Sequence, residues 1–233
     1  MITIYHIEGR RSERVAWLLE EIGVIPYELD YVAGDILGSL LKLEETHETR
    51  MAPILKDGDV VMVESGAILE YLLFRYAKGS SLRPREESPD FPRYLQFMHY
   101  AEGTAMARVL TDRLLQGPLK SAGMESPLPK LPGVAGSRTE SQRVMHFADN
   151  VLGKTRYFAG GTFTAADIMM HFPMKMGAAI ATKTEAKMPD MYRTDHAYLD
   201  HFPNVKRFLV EMHNRPAFQR MMERTIPNGP PAM

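Results

Sequence analysis

The chain has 233 residues, enough for one large or two small domains with a buried core. Its 28 lysine and arginine residues nearly balance 29 aspartate and glutamate residues, a formal net charge of −1 that points away from nucleic acid or an anionic membrane as partner. There is no cysteine, which excludes disulfides, thiolate metal sites, C-x-x-C redox chemistry and a cysteine nucleophile, so any thiol chemistry must use a sulfur brought by another molecule.

The N-terminus, Met1-Ile2-Thr3-Ile4-Tyr5-His6, alternates as a strand does and lacks the basic stretch and apolar run of a signal peptide. No apolar run reaches the roughly 18 residues of a membrane span; even segment 168–181, rich in methionine, carries His171 and Lys175. A soluble cytoplasmic protein is expected. A strand over 2–7 precedes a helix over 12–22, in which Val15, Leu18, Leu19 and Ile22 keep helical spacing, Ser12 can cap and Gly23 can terminate. A second strand over 26–32 completes a β-α-β unit short enough for parallel pairing, and a loosely patterned helix follows at 35–44. Ala52-Pro53-Ile54-Leu55 and Val60-Val61-Met62-Val63 flank an Asp-Gly turn and predict a hairpin. Glu64-Ser65-Gly66 then opens a helix that carries Ile68, Leu69, Leu72 and Leu73 to Tyr76.

The order β-α-β-α-β-β-α predicts a thioredoxin-like α/β domain over 1–78, a mixed sheet with helices on both faces. Residues 79–92 hold three prolines and read as a linker. Beyond them strand signals vanish. Helices are expected over 93–116, 138–153, 164–180, 203–213 and 216–224, giving an all-helical domain over 93–224 and an irregular tail at 225–233. The Pro/Gly-rich excursion at 117–137 is long for a compact domain, a length that accompanies either function or mobility. The 17 methionines read chiefly as gap-fillers of the core.

This layout and five segments resemble the soluble glutathione transferases. The first segment is Tyr5-His6-Ile7-Glu8-Gly9-Arg10-Arg11-Ser12-Glu13-Arg14-Val15-Ala16-Trp17-Leu18-Leu19-Glu20-Glu21, similar to the family's first strand, active-site loop and first helix. The second is Ala52-Pro53-Ile54-Leu55 followed by Glu64-Ser65-Gly66-Ala67-Ile68-Leu69-Glu70-Tyr71-Leu72. Met98-His99-Tyr100-Ala101-Glu102-Gly103, Phe163-Thr164-Ala165-Ala166-Asp167-Ile168-Met169-Met170 and Phe202-Pro203-Asn204-Val205-Lys206-Arg207 resemble the fungal and bacterial subgroup of that family. The resemblance implies a homodimeric detoxification enzyme that ionises glutathione, its co-substrate, for attack on an apolar electrophile. Two other readings stay open: a glutathione-dependent lyase or isomerase on the same scaffold, and a non-catalytic interaction module, because fold does not fix function.

Glutathione is an anionic tripeptide whose backbone can be held by pairing with an exposed strand end. A cis Ala52-Pro53 bond would turn that end outward, so that the Ala52 N–H and C=O meet the cysteinyl part; the plainer reading is an edge-strand proline. Glu64 and Ser65 start a helix, where backbone N–H groups and the dipole favour an anion. The resemblance places the γ-glutamyl carboxylate there, with Glu64 taking its ammonium, while Ser65 as a simple N-cap is compatible with both. Arg10, Arg11 and Arg14 beside Ser12 form a basic cluster of the kind that lowers a bound thiol's pKa, unless they are solvated or paired with Glu8 and Glu13.

Two departures from the family pattern stand out. In serine-type members the hydroxyl that bonds the thiolate stands four residues before the arginine equivalent to Arg14, and here that position is Arg10. A tyrosine-type alignment instead puts Tyr5 at the catalytic tyrosine and Arg11 at a supporting arginine. The candidates to stabilise the thiolate are therefore Arg10 or Arg11 with the helix N-terminus, and Ser12 or Tyr5 as hydroxyl. Upstream of Pro53, Arg50-Met51 replaces the glycine-lysine common in relatives, leaving His47 or Arg50 to hold the glycyl carboxylate.

In the second domain, Tyr100, Thr104, Arg108 and Thr111 share one stripe of the helix, a candidate wall of the electrophile pocket where Arg108 would receive an anionic or phenolic group. Leu95, Met98, Ala101, Ala105 and Val109 form its apolar stripe, and the resemblance has Glu102 reaching across a dimer interface to the glutathione ammonium. Phe163-Thr164-Ala165-Ala166-Asp167 is a capping box with a hydrophobic staple, a structural feature. His6, His47, His99, His146, His171, His196, His201 and His213 show no metal spacing, and no metal is expected.

Overall fold

The computed structural model describes residues 1–23, 25–112, 114, 122, 140–181, 192–195 and 197–228. Strand β1 (Ile2–Tyr5), helix α1 (Glu13–Ile22), β2 (Tyr27–Asp30), α2 (Ile36–Thr46), β3 (Ile54–Asp57), β4 (Val60–Val63) and α3 (Ser65–Tyr76) follow the expected order. The sheet runs β2-β1-β3-β4, with β1 parallel to β2 and antiparallel to β3, and β3 antiparallel to β4. Period-2 alternation loads its two faces separately. Ile2, Ile4 and Leu55 join Trp17, Leu18, Leu69 and Leu72 of α1 and α3, whereas Ile54 packs with Ile7 and Leu43 beneath α2. This is the thioredoxin-like α/β arrangement. α1 ends at Gly23, whose φ of +78° is the left-handed conformation that glycine adopts without a Cβ penalty.

The first strand stops at Tyr5 rather than residue 7, because the chain turns at once into a compact loop. Leu82 of the linker is buried in the core and its carbonyl accepts from Ala165 N–H at 2.8 Å. Helix α4 (Phe91–Tyr100) begins two residues earlier than expected, with Pro92 in the first turn, where a missing N–H is harmless. It passes through a π-helical turn at Ala101–Met106 and stays helical to residue 112. α5 (Glu140–Leu152), α6 (Ala165–Ala181), a 3₁₀ turn at Ala197–His201, α7 (Pro203–His213) and α8 (Pro216–Thr225) complete the described chain. The 117–137 excursion, apart from Ala122, and residues 229–233 of the tail lie outside the described residues.

α6 is buried over 165–179, and its all-round apolar character fits a central helix. Its start is fixed as the capping box requires: Asp167 accepts from Thr164 N–H at 2.8 Å and Thr164 Oγ1 at 3.1 Å, and also from Phe158 N–H at 2.8 Å. Methionines 98, 145, 169, 170, 174, 212 and 221 fill the main core, which is continuous from the sheet into the helical part. α8 docks on α1 through ion pairs. Arg215 grips Glu21 at 2.7 and 2.8 Å, Arg220 and Arg224 reach Glu20 at 2.9 and 3.1 Å, and Trp17 meets Phe218 edge to face. Among the described residues no helix is long and apolar enough to cross a membrane.

Candidate active site

A groove lined by Arg11, Thr49, Met51, Ala52, Pro53, Val63, Glu64 and Ser65 lies between the α1 loop, the turn after α2 and the start of α3. Its enclosed part is about 90 Å³, which suits one anionic end of a ligand rather than a whole tripeptide. The Ala52-Pro53 peptide is cis, as expected. Glu64 has φ +72°, a conformation that costs a non-glycine residue about 1–2 kcal/mol and that concentrates at functional sites. Ser65 begins α3 and is buried, with its Oγ accepting from Arg14 Nη1 at 3.0 Å. A hydroxyl held in this way keeps its own proton for donation to an anion.

Arg14 organises the site from beneath. It is 2% exposed and donates to Glu102 Oε1 at 2.5 Å, to Ser65, and to the Met169 carbonyl at 2.8 Å. Glu102 sits in the π-helical turn of α4, and its other oxygen accepts from Arg11 Nη1 at 2.6 Å. Burial alone would raise the Glu102 carboxyl, but Arg14 and Arg11 outweigh it and hold the group below the usual carboxylate range. One carboxylate thus serves two guanidiniums, so the set Arg11, Arg14 and Glu102 carries one net positive charge beside the Glu64 carboxylate of the groove. A second buried pair lies behind this one: Lys175 of α6 donates to Glu13 at 2.8 Å, and Tyr192 donates to the other Glu13 oxygen at 2.5 Å.

Ser12 does not cap α1; it is fully buried, bonded to His6 Nδ1 at 2.8 Å and to Ile7 N–H at 3.3 Å. Tyr5 is half-buried against the cluster under α2 and does not line the groove. Arg10 lies in the loop, where its N–H donates to the Ile7 carbonyl at 3.2 Å. Arg50 (φ +52°) pairs with Glu44 at 2.8 Å, and His47 Nδ1 accepts from Thr49 N–H at 3.1 Å, so in this turn Thr49 and Met51 line the groove. Arg14 and Arg11 pair with Glu102, not with Glu8 or Glu13; Glu8 accepts instead from Gly34 N–H at 3.2 Å.

The Tyr100, Thr104, Arg108 stripe turns toward α5. The Tyr100 ring packs on Phe97 and Phe147, Arg108 is ion-paired with Glu140, and Thr104 is half-buried. Closer to the loop, a small apolar cluster of Met106, Val109, Phe172 and Met176 abuts Arg14 and Lys175 through the Phe172 ring. Sequence reasoning missed this cluster and the role of Thr49. Methionine and phenylalanine on α4 and α6 read as core, and nothing in the one-dimensional pattern brings them to the loop.

A separate cavity of about 470 Å³ between α3 and α4 is lined by Gly66, Ala67, Leu95, Met98, His99 and Glu102, and shares Glu64 with the groove. A cleft of about 840 Å³ beside α7 shares no residue with the groove, and its Arg156, Lys206 and Arg215 are each paired with a carboxylate.

A mixed four-stranded sheet with a cis-proline beside a helix N-terminus, backed by an all-helical second half, defines the glutathione transferase architecture. Residues 4–81 match the family described as Glutathione S-transferase, N-terminal domain, and residues 129–216 match Glutathione S-transferase, C-terminal domain. Glutathione S-transferase 3 of Schizosaccharomyces pombe is 30% identical over 98% of this chain and 89% of its own length. A glutathione S-transferase of Actinobacillus pleuropneumoniae superposes with a TM-score of 0.69 at 24% identity, covering 97% of this chain and 93% of that one. A glutathione transferase of Phanerochaete chrysosporium, in complex with oxidized glutathione, does so at 0.69 and 22% over 97% and 96%. The chain belongs to the glutathione S-transferase family and is a transferase of that type.

Proposed function

We propose that this chain binds glutathione across the groove, ionises its thiol and delivers the thiolate to an apolar electrophile, acting as a cytoplasmic homodimer in detoxification. The observation that carries the reading is the linked set Ser65–Arg14–Glu102–Arg11 beside the cis Ala52-Pro53 bond. Ser65 and the positive end of α3 receive the γ-glutamyl carboxylate, Glu64 takes the ammonium, and the Ala52 backbone pairs with the cysteinyl part. Thr49, with His47 and Arg50 in the same turn, faces the glycyl end.

Arg10 occupies the position that carries a hydroxyl in serine-type relatives. Ser12 is spent on His6, and Tyr5 is not among the residues that line the groove, so the thiolate is assigned to Arg11, with Arg10 adding charge. The first amides of α1, Glu13 and Arg14, already donate to the Arg10 and Arg11 carbonyls at 3.1 and 3.2 Å, so that helix contributes its field rather than hydrogen bonds. Fixing both reactants on one protein supplies much of the acceleration. Leu95, 39% exposed, lines the α3–α4 cavity and supports a second copy covering that face.

Equilibrium binding of glutathione, followed by turnover of a chloro-nitroaromatic acceptor, tests the proposal. Binding with turnover is expected. Binding without turnover favours the lyase or isomerase, and absence of binding favours the interaction module.

A further inference from the structure

His6 is fully buried immediately after β1, and its two ring nitrogens face different parts of the chain. Nε2 lies 3.0 Å from the Thr225 carbonyl at the end of α8, across a sequence separation of 219 residues. A carbonyl only accepts, so Nε2 carries the proton. In the neutral ring Nδ1 then accepts, and Ser12 donates its hydroxyl proton to it at 2.8 Å. Burial favours that neutral form by lowering the His6 pKa. Ser12 Oγ in turn accepts from Ile7 N–H at 3.3 Å, which closes the loop on itself. Within the loop, Gly9 has φ +68° and Arg10 N–H donates to the Ile7 carbonyl, so Arg10 and Arg11 ride on one compact turn.

The partner on α8 is not arbitrary. The last carbonyls of a helix lack intrahelical donors and need partners from elsewhere. Two successive ones are taken by the sheet half of the chain: Arg224 C=O by Tyr31 Oη at 3.2 Å, and Thr225 C=O by His6. The Tyr31 ring also meets the His6 ring edge to face at 4.8 Å. The Arg215, Arg220 and Arg224 ion pairs hold α8 to α1, whereas the His6 bond continues through Ser12 into the loop.

We infer that His6 is a positioning residue for thiolate formation: through Thr225 on one side and Ser12 on the other, it ties the placement of Arg10 and Arg11 to the docking of α8. The inference rests on the proposed function and deepens it, since neither His6 nor α8 touches the groove.

Two substitutions divide the ring's two bonds. His6→Gln keeps an N–H near the Nε2 position and loses the acceptor for Ser12, whereas His6→Asn keeps a group near Nδ1 and loses the bond to Thr225. Tyr31→Phe removes the neighbouring α8 bond while sparing the loop. The readouts are the pKa of enzyme-bound glutathione, followed by thiolate absorbance, and amide hydrogen exchange over residues 7–11. Both His6 variants should raise the thiol pKa by about 0.5–1 unit, lower kcat/KM about tenfold and speed exchange in the loop, and Tyr31→Phe should do none of these. Ser12→Ala cuts the same chain with little volume change and takes the place of a His6 variant that fails to fold. An unchanged thiol pKa and unchanged loop exchange, even with a lowered thermal midpoint, would reduce His6 to a packing residue and overturn the inference. If the wild-type protein binds no glutathione, the proposed function fails separately, and the exchange measurement alone decides the coupling of α8 to the loop.

Discussion

Replacing Glu102 by glutamine removes the carboxylate shared by Arg11 and Arg14 while leaving an acceptor oxygen in place. The two arginines differ in what they lose. Arg14 is 2% exposed and Arg11 37%, with Glu102 at 23% between them. Breaking a buried ion pair from one side costs about 3–5 kcal/mol, because the remaining charge stays out of water. Arg14 keeps Ser65 and the Met169 carbonyl as acceptors, and the new amide oxygen supplies a third, so the lower end, about 3 kcal/mol, is expected for Glu102→Gln. Arg11→Ala removes a half-exposed pair, worth less than about 1 kcal/mol. Urea denaturation of both variants at one fixed protein concentration reads these values directly. A loss below about 1 kcal/mol in Glu102→Gln, or equal losses in the two variants, would refute the claim that Arg14 anchors the site from a dry interior.

Asp167→Ala strands the buried Phe158 and Thr164 N–H groups together, so about 2–4 kcal/mol should be lost, more than a surface cap is worth; an unshifted urea midpoint would contradict this. His213, whose Nε2 lies 3.0 Å from His171 Nε2, has its pKa lowered from 6.5 to about 4 by burial and by Lys175. The unfolded chain takes up this proton as pH falls below 6.5, whereas the folded chain takes it up only near 4, so stability is lost progressively across that window. His213→Gln should lack this loss, and the stability gap between wild type and variant should narrow by about 2–3 kcal/mol between pH 7 and 4.5. A gap independent of pH would count against a neutral buried imidazole.

Local features were legible where one stretch of chain decides them. The β-α-β order, the Asp-Gly hairpin, the helix stop at Gly23 and the Thr164/Asp167 capping box each follow from residues close in sequence, whereas the cis Ala52-Pro53 bond came with the family resemblance. Side chains whose partners are remote in sequence were read less well. Ser12 has the composition and place of an N-cap, yet its hydroxyl is claimed by His6, a ring that α8 holds in position. The π-helical turn brings Glu102 to Arg11 and Arg14 of its own chain, a pairing that its place on the helix did not indicate. Arg108 sits on a mixed stripe that suggests a ligand wall, and its ion pair with Glu140 at the start of α5 was not legible from that stripe. These outcomes depend on how helices pack, which helical periodicity does not encode.

The central claim is that Arg11, held at the groove by Glu102, keeps bound glutathione ionised without a hydroxyl or thiol from the protein. Its most direct test is titration of enzyme-bound glutathione by thiolate absorbance in the wild-type protein and in Arg11→Ala. The bound thiol is expected to ionise well below the value of about 8.5 for an unperturbed thiol, and to shift back toward that value when Arg11 is removed. A bound thiol that titrates identically in the two proteins would contradict it.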